Sequence, residues 1–156
     1  MSKFFNSILT KKKKEMTLQD TIQSLQRIAL TQPNIRYAGE GDLYRDLNAN
    51  PSIKYGVFYI TQNRHYSDEA LGVDRYGFNL FYIDRLVNDN GDNALQVQSI
   101  GKEALTNIIR MFCERYDAEV YGTIEWQSFT QRFSDLCAGE YAVINIEISQ
   151  ETQCID

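Results

Sequence analysis

Two stretches of the chain carry apolar residues at helical spacing. Between Thr17 and Leu30, Leu18, Ile22, Leu25 and Ala29 fall at i, i+4, i+7 and i+11, the stripe of a helix with one buried face. Thr17 followed three residues later by Asp20 resembles a capping box, with Asp in place of the usual Glu or Gln. Pro33 ends the segment, because the residue before a proline is driven out of the α region. The second stripe, Val97, Ile100, Ala104, Leu105, Ile108 and Phe112, predicts a helix over Ala94–Tyr116. Gly101 inside it costs roughly 1 kcal/mol relative to Ala, which points to close approach of another backbone.

Four stretches read as strands. Tyr55–Gln62 is dense in β-branched and aromatic residues. Asp74–Val87 is apolar in both alternation classes, with Phe78, Leu80 and Tyr82 on one side and Phe81, Ile83 and Val87 on the other. Such a strand is covered on two faces, by the core and by a helix or a neighbouring subunit. Glu119–Phe129 is the third. Glu140–Ser149 alternates cleanly, Ala142, Ile144, Ile146 and Ile148 against Tyr141, Val143, Asn145 and Glu147.

The connections are polar. Residues 34–54 read as a long loop with one short element near Leu43–Leu47, and Asn63–Gly72 as a loop. Asn88–Asn93 is the strongest turn, and Thr130–Cys137 a turn or helical piece closed by Gly139. The predicted fold is a single α+β domain over residues 16–150, a mainly antiparallel sheet with two principal helices in the order α-β-β-α-β-β. Residues 1–15 form a basic arm and 151–156 a tail. At 156 residues such a domain buries roughly 70% of its unfolded surface, enough for a core.

In the arm, Phe4, Phe5, Ile8 and Leu9 fall at i, i+1, i+4 and i+5, one short greasy helical face, and four lysines follow at 11–14. Alone, so short a helix is marginal in water, so the arm reads either as a frayed terminus or as a segment that orders on a partner subunit, and its apolar face is too short to favour an interfacial membrane helix. Apolar residues ahead of the lysines reverse the order of a signal peptide, so no secretion signal is expected. No apolar run approaches the ~20 residues of a membrane span, and no membrane partner is expected.

Charge divides the chain unevenly. The first 15 residues hold five lysines and one glutamate. Of the 16 basic and 21 acidic residues in all, 11 and 20 remain beyond them, a body of net −9. Affinity for DNA comes mainly from cations that displace counterions, so the body is a poor phosphate binder.

Candidate chemistry is sparse. His65 is the single histidine, placed in a polar loop, so any Ser–His–Asp or Cys–His engine must use it. One histidine with Cys113, Cys137 and Cys154 makes no zinc pattern, and three unspaced cysteines make no disulfide framework. Gly39-Glu40-Gly41 lacks the strand, the long helix and the lysine of a phosphate cradle. Acidic pairs such as Asp89 with Asp92, or Glu119 with Glu125, have no distinguishing local chemistry. No catalytic residue, cofactor or metal is therefore assigned. The aromatics of the middle strands suit a core and a subunit interface better than a base-stacking platform. Tyr55, Tyr59, Phe81 and Tyr82, with Phe4, Phe5, Ile8 and Leu9, are the candidate interface.

Four segments go beyond a generic fold: Tyr55-Gly56-Val57-Phe58 with Thr61-Gln62, Phe78–Leu86, Gln96–Gly101 leading into Leu105–Arg110, and Phe129–Phe133 with Asp135–Gly139. Over residues 16–150 the chain resembles small virion proteins of tailed phages of Bacteroides-type hosts, including crAss-like phages. These in turn resemble head–tail connector and tail-terminator proteins. The resemblance implies a tail-terminator-like fold and a structural, non-enzymatic subunit of the virion neck or tail. It implies a cyclic ring, on the order of six or twelve copies, against adjacent portal, ring or tail proteins, with genomic DNA passing through without specific binding. A soluble adaptor that binds a peptide or nucleic acid, or a small hydrolase, is the alternative.

Overall fold

The computed structural model describes residues 16–49, 54–87, 93–133 and 135–150; the arm, the tail and all of the predicted 88–93 turn but Asn93 lie outside them. The chain is α+β, with three helices and a six-stranded, mostly antiparallel sheet. In chain order the elements are α1 (Leu18–Ala29), β1 (Tyr37–Glu40), α2 (Leu43–Ala49), β2 (Val57–Asp68), β3 (Val73–Arg85), α3 (Ala94–Tyr116), β4 (Ala118–Val120), β5 (Glu125–Arg132) and β6 (Leu136–Ser149). The sheet order is β1-β2-β3-β6, with β4 and β5 both pairing the far edge of β6.

Both long helices stand where the stripes put them. The Thr17 hydroxyl accepts from the Asp20 amide, and the Asp20 carboxylate accepts from the Thr17 amide, each at 3.0 Å, so the capping box is complete. α1 buries Leu25, Ile28 and Ala29, and α3 buries Val97, Ala104, Leu105, Ile108 and Phe112. Their common target is one face of the sheet, Phe58, Ile60, Phe78, Leu80, Tyr82, Ala142, Ile144, Ile146 and Ile148. Gly101 is the point of close approach: a Cβ there would stand 2.8 Å from the Tyr82 ring. The approaching group is thus a buried side chain and not the backbone expected.

The connections depart from expectation. The 34–54 stretch is no simple loop, because β1 pairs in parallel with β2 and the two are joined through α2. Parallel neighbours require a crossover, and α2 is that crossover. Gly39 and Glu40 lie inside β1 and Gly41 just past its end, so the glycine pair belongs to the strand itself. The Asn63–Gly72 loop is in fact the tip of the β2–β3 hairpin. Gln62–Ser67 are exposed, yet their backbone pairs with β3 down to Asp68↔Val73, so polar side chains disguise a strand. The predicted third strand breaks in two at Gly122, whose φ of +81° an extended strand does not adopt. Of the turn or helical piece expected over Thr130–Cys137, the described residues form the turn: β5 runs to Arg132 and β6 starts at Leu136, with Gly139 inside it.

Phe112 is fully buried beneath the sheet in the same cluster as Ile144 and Ile146. Phe112→Ala is expected to lower unfolding free energy by roughly 3–5 kcal/mol, measured by urea denaturation. A loss below about 1 kcal/mol would mean that this face of α3 is not the one that holds the fold.

Candidate functional site

The second face of the sheet is only partly covered. At one end α2 lays Leu43 and Leu47 over Val57, Tyr59, Ile83, Phe133 and Cys137, forming a smaller core. Tyr59 anchors it: its buried hydroxyl shares a proton between the Glu40 carbonyl, at 2.8 Å, and the Asp46 carboxylate. The Tyr59 hydroxyl holds the Asp46 carboxyl below the usual carboxylate range. Burial, then Asp46, pushes the phenol well above its ordinary value.

Beside α2 lies an open groove of about 580 Å3, floored by Phe81, Phe129 and Tyr141 and walled by Tyr44 and Phe133. Its position follows from strand parity. Phe81 pairs across with Tyr141, and Phe129 sits opposite Gly139, with its ring against the glycine. The Phe81 and Tyr141 ring centroids are 5.0 Å apart with the rings tilted by 34°, and those of Phe81 and Phe129 are 6.3 Å apart, edge to face. All three rings are half-buried, and Tyr44 is 57% exposed.

Beyond the aromatics the face turns polar. Asn63 donates to the Asn79 side-chain oxygen at 3.0 Å, Asn79 donates to Thr61 at 3.1 Å, and Tyr141 donates to Gln127 at 3.0 Å. Further along, Arg75 pairs with Glu147 at 3.4 Å and stacks 4.3 Å over Tyr121.

The predicted interface residues divide. Phe81 lies at the groove's centre. Tyr59 and Tyr82 are buried inside the subunit, 0% and 1% exposed, and line no surface. Tyr59 is occupied in holding α2, and Tyr82 packs under α3. Tyr55 is half-buried beneath Arg85, 5.2 Å from its ring, at a separate polar cavity where Arg36 and Arg85 face Asp84 and Asp135. Phe4, Phe5, Ile8 and Leu9 lie outside the described residues. Phe129, Tyr141, Tyr44 and Phe133 are not among the predicted interface residues. For Tyr141 the signal was the parity opposite to the core in β6, which becomes a surface only once the register joins it to Phe81; Phe129, Tyr44 and Phe133 stand on β5, on α2 and just after β5, outside that pattern.

Reactive groups are poorly placed. His65 is on β2 and not in a loop, exposed and stacked 4.6 Å from Tyr76. Burial pushes the Cys137 thiol up to about 11 and raises Cys113 as well, so both stay protonated and weakly nucleophilic near neutrality. No group of three or more His, Cys, Asp or Glu fit to hold a metal occurs among the described residues.

No protein-family model matches the chain, and no curated protein matches it either. Among solved structures, the catalytic domain of the histidine kinase ThkA aligns at 12% identity over 88% of this chain and 95% of that chain, with a TM-score of 0.28. That score is too low to carry an argument about fold or chemistry.

Two outcomes follow from this geometry. Tyr59→Phe removes the hydroxyl that holds Asp46 and is expected to cost about 1 kcal/mol near neutral pH. A carboxyl depressed in the fold stabilises above its unfolded pKa of about 4 and loses that contribution as pH falls through the folded value. The stability gap between wild type and Tyr59→Phe should therefore narrow below about pH 4; a gap that widens in acid contradicts the contact. His65→Ala, an exposed change that uncovers one side of the core ring Tyr76, is expected to cost about 0.5–1.5 kcal/mol and to leave assembly unaltered, as read by thermal melting and light scattering.

Proposed function

We propose that the chain is a non-catalytic structural subunit that assembles with copies of itself into a ring. On the sequence resemblance, the ring is a tier of the head–tail connector or tail in a tailed-phage virion, of tail-terminator type. The observation that carries the reading is the half-covered sheet face, where Phe81, Phe129 and Tyr141 stand in an open groove while the opposite face is closed by α1 and α3. A centre of aromatic rings inside a polar rim is the composition of a protein interface.

The charge distribution supports the same reading. A body of net −9 repels phosphate, so a lumen lined by it lets DNA slide instead of gripping it. Portal, adjacent ring and tail proteins are the neighbours that such a tier would have, and no membrane or cofactor enters the scheme.

Size-exclusion chromatography with light scattering, followed by negative-stain images, tests the proposal. The full chain is expected to give a closed particle of one rotational symmetry. A strictly monomeric chain at every accessible concentration would refute it.

A further inference from the structure

Resting on the self-assembly reading above, we infer that the groove beside α2 is the seat for the apolar stretch Phe4–Leu9 of a neighbouring copy, so that each subunit is strapped to the next by its arm.

The chemistry matches on both sides. Phe4, Phe5, Ile8 and Leu9 fall at i, i+1, i+4 and i+5, a face two helical turns long that must be seated as a unit. The groove offers about 580 Å3 floored by Phe81, Phe129 and Tyr141, with Leu43 and Tyr44 on its wall. Lys11–Lys14 follow Leu9 directly. They meet a body with an excess of nine acids, and Asp42 stands on the groove itself.

Reach decides that the occupant comes from another copy. The chain leaves the domain at Met16, whose amide donates to the Gln150 side chain at 2.9 Å and whose carbonyl accepts from it at 2.7 Å. Met16 packs against the core on the helix-covered face. The groove opens on the other face, and Tyr141 in its floor is nine residues along β6 from Gln150, about 30 Å at strand rise. Leu9 is seven residues from Met16, which span at most about 25 Å fully extended. An arm from the same subunit would also have to round the end of the sheet. With Leu9 held within that radius, the same subunit's arm cannot lay the whole Phe4–Leu9 face on the floor of Phe81 and Tyr141, whereas the arm of an adjacent copy does not face that limit. Because the point of departure and the groove are different patches, each arm can pass to a different neighbour, which is the heterologous contact a ring requires.

The test uses the full chain throughout. Phe4→Ser with Phe5→Ser disables the arm; Phe81→Gln disables the groove, and Tyr44→Asp does so at an exposed wall position whose ring contact is with Phe133, 5.5 Å away. Light scattering is expected to show assembly of each variant shifted by at least about tenfold in concentration, with the circular dichroism of the arm variant and of Tyr44→Asp unchanged. At a concentration where both are monomeric, mixing the arm variant with a groove variant should give a one-to-one dimer and nothing larger, since one good arm and one good groove remain. An arm variant that assembles as fully as wild type, or a mixture that stays monomeric, overturns the strap while leaving self-assembly intact. A wild-type chain that never assembles overturns both.

Discussion

A helix of seven residues is about 10 Å long, and α2 is asked to cover a sheet whose longest strand, β6, has 14 residues, about 45 Å at strand rise. That mismatch shapes the molecule. β1 and β2 are parallel neighbours and need a crossover, so the short link between them must pass over one face. The other face is taken by α3, with 23 residues, and by α1. What α2 can cover it covers well, with Leu43, Leu47 and the Tyr59–Asp46 contact closing a second core over Val57 and Ile83. What lies past its end stays open, and strand parity puts Phe81, Phe129 and Tyr141 there. The connection that secures β1 is therefore also the wall of the groove.

The fold was legible wherever a pattern is set by burial on one side. The stripe of α3 gave its limits, Ala94 and Tyr116, and the alternation of β6 gave the buried set Ala142, Ile144, Ile146 and Ile148. Reading failed where backbone pairing does not depend on apolar side chains. The Asn63–Asp68 half of β2 is held by its ladder with β3 in the exposed hairpin, and nothing in its composition announces a strand. β1, four residues including a glycine, is too short for periodicity to register. The interface residues failed differently. Tyr59 and Tyr82 have the composition of an interface, but tyrosine also serves a core whenever a partner or a packing slot is available, here Asp46 and Gly101. Deciding between the two uses needs the register, which no single strand contains.

The groove's polar border bears on what it can receive. Asn63, Asn79 and Thr61 bond one another in a chain, and Tyr141 spends its proton on Gln127. Groups so satisfied gain little from a charged ligand and lose little when a neighbouring surface excludes water from them. Phosphate binding needs the opposite, unspent donors and cations, and the one charged residue lining the groove is the acid Asp42. Of the arginines on this face, Arg75 is committed to Glu147 and the Tyr121 ring, Arg85 to Asp135 and the Tyr55 ring, and Arg64 stands beside Gly77 in the hairpin, outside the groove's lining. An apolar centre with a self-satisfied rim excludes water around a few energetic contacts. It suits a small apolar insert from another protein chain, and the site's chemistry therefore favours packing over recognition of an anion.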